Sequence, residues 1–324
     1  MSRRGWVLFA LMGVLWGIPY LMIKVAVEGG VAVPVVVFAR TALGALVLLP
    51  LVLWGGAGGT GGGLGTLRRH WKPILAFAAL EILGPWALLV DAERHLSSSM
   101  TGLLIAAVPI AGVLIARLAE SRPRPRNPGA SPAEAAGERL DAGRWIGLLL
   151  GLAGVAVLAV PHLEGGSAWA IGEMMLVVLG YSIAPMIAAR RLGEVPSLQM
   201  TVACLTLAAL VYAGPAAATW PASMPDGKVL AALAGLGIVC TALAFVVFFE
   251  LIREAGTSRA MVFTYVNPAV AVSAGVLFLD EPLTGTILAA FALILCGSVL
   301  ATGRRRNADT VRPVEPVQAA EPST

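Results

Sequence analysis

GERLDAGRWIGLLLGLAGVAVL, residues 137–158, and DEPLTGTILAAFALILCGSVL, residues 280–300, carry one pattern: E-x-L, thirteen residues, then glycine. The shared positions are Glu138, Leu140 and Gly154 in the first copy and Glu281, Leu283 and Gly297 in the second. Upstream, Pro109 in IAAVPIAGVL pairs with Pro268 in TYVNPAVAVSAGVL. The Pro-to-Glu spacing is 29 residues in one copy and 13 in the other, so the first copy holds an insertion of about 16 residues. Further upstream, VLWGIPYLMI (Trp16, Pro19) resembles LGYSIAPMIA (Tyr181, Pro185). Apolar helices resemble one another by Leu and Val alone; here Pro, Glu and Gly keep the register, which marks an internal repeat.

Composition says where such a repeat lives. Of 324 residues, 58% are hydrophobic and 13% charged, and mean hydropathy is +0.83. Ordinary soluble domains run at roughly 45–50% apolar and 25% charged. Too few charges remain to cover a globule, which excludes a typical cytosolic enzyme, a secreted disulfide scaffold and a disordered chain. Cys204, Cys240 and Cys296 all lie in apolar runs, an odd count that suits neither a disulfide framework nor a zinc site.

A helix needs about 20 apolar residues to cross a bilayer. The sequence predicts ten such spans, at 6–27, 33–54, 73–90, 97–118, 144–161, 168–189, 197–219, 229–251, 258–279 and 284–303. The stretch 119–143, rich in Pro, Arg and Ala, reads as a flexible cytoplasmic loop. The segment 304–324 reads as a disordered cytoplasmic tail. The first span follows Arg3 and Arg4 but is too long for a signal peptide and reads as a retained helix. With both termini inside, nineteen of the 23 Lys and Arg fall on the cytoplasmic side. Arg94 and Lys228 fall outside, and Lys24 and Arg40 lie within spans. Six tryptophans, Trp6, Trp54, Trp71, Trp145, Trp169 and Trp220, sit near span ends, where an interfacial belt belongs.

A repeat of five spans is odd, so its second copy enters the membrane upside down. The expected fold is an all-α polytopic membrane protein, ten transmembrane helices in a 5+5 inverted repeat. The first unit covers 1–161 with its loop insertion at 119–143, and the second covers 165–303. That layout is typical of secondary transporters. The sequence resembles the EamA-like family of the drug/metabolite transporter superfamily over about residues 6–303. The resemblance rests on Trp16-Gly17, Arg40, the Pro109 and Pro268 helices and the two E-x-L…G segments; the long insertion before Glu138 departs from the family pattern. It implies a bacterial inner-membrane carrier that exports, or less often imports, small metabolites such as amino acids. It also implies a cavity lined mainly by spans 1, 3, 4, 6, 8 and 9.

Ionisable groups within a bilayer cost roughly 2.5–3.5 kcal/mol on insertion scales, so each is a candidate functional group. Glu81, mid-span in FAALEILGPW, is the candidate for proton coupling or for binding a substrate amine; its other reading is a structural carboxyl, neutral or paired with Lys24 or Arg40. Lys24 and Arg40 either bind a substrate carboxylate, counter Glu81, or snorkel to the interface. Glu173 falls close to a span end, where water reaches it, and Glu250 and Arg253 are spaced to pair. Pro19, Pro109, Pro185 and Pro268 kink helices at matched places, a pointer to a midplane site. Asn267 offers an amide at that depth, and Trp16, Tyr20, Trp86, Tyr181 and Tyr265 offer aromatic walls with polar tips. Glu138 and Glu281, each before a span, are expected to cap a helix N-terminus. Gly147, Gly151 and Gly154 permit close helix contact, as an intramolecular seam or as a homodimer face.

The partners this reading calls for are a small-molecule substrate and membrane lipid, without nucleic acid; no cofactor is expected. A membrane-embedded enzyme would need a nucleophile with its base, or metal ligands. The three histidines, His70, His95 and His162, all fall in links, and no H-E-x-x-H or G-x-S-x-G motif occurs. A channel would call for a filter or rings of charge. A non-transporting scaffold or sensor, with 119–143 as its partner-binding loop, is the remaining alternative.

Overall fold

The structure, a computed structural model, describes residues 1–54, 64–120, 142–163 and 167–302. The expected loop and tail, and with them Glu138, lie outside these residues. Every regular element among the described residues is helical.

Eight helices are long and apolar enough to cross a membrane. They are α1 (Arg3–Glu28), α2 (Val33–Trp54), α3 (Trp71–Ala92), α4 (Ser98–Leu118), α6 (Ala168–Arg191), α7 (Ser197–Ala218), α8 (Gly227–Ala255) and α9 (Met261–Phe278). The two others expected as spans form helices, α5 (Ala142–Leu163) and α10 (Gly285–Thr302). Their apolar stretches, Trp145–Val160 and Gly285–Ala301, fall short of that length. The surface is what lipid requires: Leu46, Leu53, Leu149, Leu210 and Leu277 are exposed on it. So are all six tryptophans of the expected belt.

Proline marks three helix interruptions. In α1, Pro19 begins a new segment after Ile18. α4 breaks at Ala106 and Ala107 and restarts at Val108, with Pro109 in its first turn. α9 opens as a 3₁₀ turn, Met261–Tyr265, before the helix that carries Pro268. Pro185, expected to behave likewise, lies inside an unbroken α6. A mid-helix proline leaves a carbonyl without its donor; α6 nonetheless continues through it, packed along both α3 and α4.

The helices pair in a definite pattern. α2 packs on α7, α4 on α9 and α5 on α10; α3 lies along α6, and α1 along α8. The α5–α10 contact is the closest: a Cβ at Gly147 or Gly297 would collide with the backbone of the facing helix. The glycine run of α5 is therefore an intramolecular seam. At one end of the bundle the links α1–α2, α3–α4, α7–α8 and α9–α10 come together; we call this the turn face. At the other, the start of α1 meets the end of α8 and the start of α3 meets the end of α6; we call this the terminal face.

Candidate functional site

Arg40 sits in the first half of α2 and is 8% exposed. Its Nε donates to Thr241 Oγ1 at 3.1 Å, and its guanidinium lies 3.6 Å from the centroid of the Trp86 ring. Among the described residues no carboxylate stands within ion-pair distance of it. Two local irregularities put its partners in place. Thr241 belongs to a π-helical segment of α8, Gly235–Leu243, and its hydroxyl also donates to the Leu236 carbonyl at 2.7 Å. Gly237 and Gly44 bring α8 and α2 together there; a Cβ on Gly44 would lie 2.7 Å from Thr241 Cγ2. Trp86 follows a second π segment, Ala79–Leu83, in α3. At its end the Leu83 carbonyl accepts a 2.7 Å bond from the Tyr212 hydroxyl of α7, which ties α3 to α7 there.

Tyr20, Tyr181, Cys240 and Glu93 all lie close enough to Arg40 to feel its charge. Four of the residues singled out in the sequence thus meet: Tyr20 of α1, Arg40 of α2, Trp86 of α3 and Tyr181 of α6. Tyr20 and Trp86 are 7% and 6% exposed, and Tyr181 is half-buried. A guanidinium stacked on an aromatic face and hydrogen-bonded on one edge is poised to hold an anion with the nitrogens that remain.

The other candidates are placed elsewhere. Glu81 lies on the α3 π segment near Tyr181 and Cys204, with Oε2 buried and unpartnered, and pairs with neither Lys24 nor Arg40. Trp16 packs edge-on against Phe245 and Phe263 and tilted on Phe248, an aromatic knot between α1, α8 and α9. Tyr265 reaches the Ser298 carbonyl of α10. Asn267, at the start of the second α9 segment, keeps its Oδ1 buried without a partner. Lys24 does not reach the Arg40 cluster; its ammonium donates to the carbonyls of Glu93 and Leu96 at 2.9 and 3.0 Å and lies 3.4 Å from Glu28. It caps the C-terminal end of α3.

Glu281 caps a helix, but not its own. It accepts from the backbone N–H of Ser98 at 2.7 Å and of Ser99 at 3.0 Å, and also from the Ser99 hydroxyl. Its carboxylate therefore holds the start of α4, while Thr284 caps α10. Glu173, expected to be wet, is 4% exposed, covered beside Asp91, Arg94 and Trp169. Glu250 and Arg253 do pair. Glu93 and Thr241 were not singled out in the sequence. A buried threonine carries no pattern of its own, and Glu93 falls just past a span end, where a carboxylate is normally solvated. No group of three His, Cys, Asp or Glu side chains converges as a metal site among the described residues. A recess of about 460 Å³ lies at the terminal face against His70, Arg190, Arg191 and Glu194, and shares no lining residue with the Arg40 group.

Residues 3–126 and 168–303 match the model of the EamA-like transporter family. The chain belongs to this family. The EamA-like chain is 25% identical to YedA, an uncharacterized inner membrane transporter of Escherichia coli K12, over 91% of its own length and 89% of the relative's. An uncharacterized transporter of Archaeoglobus fulgidus is 21% identical over 93% of this chain and all of that one. YvbV, an uncharacterized transporter of Bacillus subtilis 168, is 28% identical, but over only 49% of this chain and 53% of its own. A solved crystal structure superimposes with a TM-score of 0.63 over 93% of this chain and 98% of that one, at 20% identity, so the fold is shared. Family and fold together make this EamA-like protein a multi-pass membrane transporter.

Proposed function

We propose that the protein is a secondary carrier of the bacterial inner membrane that exports small metabolites, amino acids or related compounds, by alternating access. Arg40 binds the substrate's anionic group, and Tyr20, Trp86 and Tyr181 wall the site. The observation that carries this reading is the buried Arg40 guanidinium, held by Thr241 and Trp86 with no carboxylate within ion-pair distance among the described residues. An uncompensated buried charge is strongly unfavourable, and a substrate carboxylate would compensate it.

The carrier reading includes ten spans in two inverted units, 1–161 and 165–303, with both termini cytoplasmic. Several features support it. Exchanging each helix with the one five places on maps the pairs α2–α7, α4–α9 and α5–α10 onto themselves and α3–α6 onto α8–α1. The π segments fall in α3 and α8, and the breaks before Pro109 and Pro268 in α4 and α9, which are equivalent helices under that exchange. The two stretches matched by the family model fall one in each unit. At the centre, Arg40 belongs to the first unit and Thr241 to the second, so movement of one unit against the other reshapes the site. Glu81 is assigned the exchange of a proton during the cycle.

Transport into proteoliposomes tests this. Arg40→Lys keeps the charge but loses the planar fork and the stacking on Trp86. Truncating one side of a buried charged contact costs roughly 2–5 kcal/mol, so transport of an anionic or zwitterionic substrate should fall at least about tenfold. The protein must remain folded by its thermal transition for the result to count. Unchanged transport by a folded Arg40→Lys variant would remove Arg40 from the site.

A further inference from the structure

Among the described residues, Glu93 is the one carboxyl of the turn face whose two oxygens are both buried and both without a hydrogen-bond partner, and the residue is 0% exposed. Its backbone is fixed from two sides. Its N–H donates to the Leu89 carbonyl at 3.1 Å, and its own carbonyl accepts from Lys24. Around its carboxyl stand Lys24 and Glu28 of α1, Tyr20 of α1, Arg40 of α2 and Glu281 of the α9–α10 link. Both cations are already engaged: Lys24 with two carbonyls and Glu28, Arg40 with Thr241 and Trp86. Ser98 Oγ, on the helix start held by Glu281, is a further buried and unpartnered oxygen.

An ionised Glu93 would put a second carboxylate charge near Glu281 in an enclosed space whose two cations are already engaged. A protonated Glu93 is neutral and can itself donate a hydrogen bond. We propose that Glu93 is a proton-binding site, and that its proton holds the α3–α4 turn packed between α1 and the α9–α10 link. Loss of the proton charges the space. Relief comes from water, admitted when the α9–α10 link lets go of the α4 start. Burial holds the Glu93 carboxyl well above the usual carboxylate range; Lys24 opposes this, Glu281 adds to it, Arg40 opposes it and Glu28 adds to it. The native state therefore keeps this proton at pH values where the unfolded chain has lost it. The packing it supports is complete at low pH and is lost as pH rises through the raised native value. On the carrier reading above, on which only this step rests, protonation closes the turn face and deprotonation opens it, so a proton enters the cycle from that side.

Two measurements on the full chain in lipid nanodiscs test the site without any substrate. Infrared difference spectra across a pH titration should show a protonated carboxyl band that is missing in Glu93→Gln and displaced in Glu93→Asp. Amide hydrogen exchange across 93–100, corrected for intrinsic rate, should rise by about tenfold per pH unit from the ordinary carboxylate range up to the raised native value, its midpoint, and level off above it, as expected for opening linked to release of one proton. It should be flat in Glu93→Gln. If Glu93→Gln does not fold, Glu93→Asp still decides, because its exchange midpoint must move. A carboxyl band unaffected by substitution at 93, or an exchange profile that keeps its midpoint, overturns the proposal. Both results as expected in a protein that moves no solute would overturn the carrier reading and leave the proton site standing. A transporter whose turn face ignores Glu93 would do the reverse.

Discussion

The two ends of the bundle are fastened by different chemistry. At the turn face, charged side chains grip backbone: Glu281 takes the N–H groups that open α4, and Lys24 takes the carbonyls that close α3. These groups sit at helix termini, where four N–H or four C=O groups lack intrahelical partners. At the terminal face, charged side chains grip each other. Arg4 meets Glu250 at 2.9 Å, Arg253 meets the same carboxylate, Arg69 meets Glu194, and Ser2 bonds to Glu254. Most of these groups are open to water; the Arg4 and Arg69 side chains are 66% and 67% exposed. Shielded contacts to helix ends are strong and little affected by salt, whereas exposed ion pairs are weak and responsive to salt. One protein thus has a tight end and a loose end.

The largest effect should come from the tight end. Glu281→Ala strips the acceptors from two N–H groups at the start of α4 and leaves the α9–α10 link without its hold. Hydrogen bonds to a charged group are worth about 1.5–3 kcal/mol each, and orphaned donors add their own penalty, so a loss of about 3 kcal/mol is expected. Unfolding by SDS in mixed micelles measures it. Glu281→Gln, which keeps one acceptor oxygen, should recover about half of that loss. Equal stability of Glu281→Ala and the parent would mean the two ends do not differ.

Lys24→Met comes next. The methionine keeps the apolar stem but leaves the Glu93 and Leu96 carbonyls without their donor, at a cost of about 1–2 kcal/mol. It also removes the cation that favours an ionised Glu93. The pH at which exchange of amides 93–100 levels off should therefore move up. Faster exchange at every pH with an unmoved midpoint would mean that Lys24 acts on this turn only as a cap.

Much of this contrast was hidden from the sequence, for physical reasons. Bilayer thickness and the cost of charge in lipid are strong constraints, so eight of the ten expected spans appear as helices of full length and the six belt tryptophans lie outside. The same constraint singled out Arg40, and the aromatic residues Tyr20, Trp86 and Tyr181 do meet around it. Glu281 was legible as a cap because an acidic residue suits a helix N-terminus. Its real partner is the start of α4, 183 residues away in the chain, and local pattern does not reach that far. Trp16 looked like a wall of the same site, but helix phase turned it into the Phe245, Phe248 and Phe263 knot. Glu93 was missed because the third span was expected to end at residue 90, which leaves a carboxylate three residues later in water; in the structure α3 runs to Ala92 and the turn folds inward. The π segments of α3 and α8 left no trace in the composition, since they differ from α-helix only in which carbonyl each N–H selects.

The smallest effect belongs to the loose end, and it completes the contrast. Glu250 serves Arg4 and Arg253 together, so Glu250→Gln dissolves the whole cluster while keeping side-chain volume. Exposed pairs contribute about 0–1 kcal/mol each, and holding two long side chains in one geometry offsets part of that. A change within about 0.5 kcal/mol is expected at low salt. It should shrink further at 1 M salt, where the Debye length is about 3 Å and the charges no longer sense each other beyond contact. Glu281→Ala should keep most of its deficit under the same salt, because its partners are backbone dipoles shielded from the solution. A Glu250→Gln deficit as large as that of Glu281→Ala, and equally indifferent to salt, would show that the terminal face is locked as firmly as the turn face. A carrier that opens its two sides in turn needs a different trigger at each end, and parity between them would remove the physical basis for assigning protons to one.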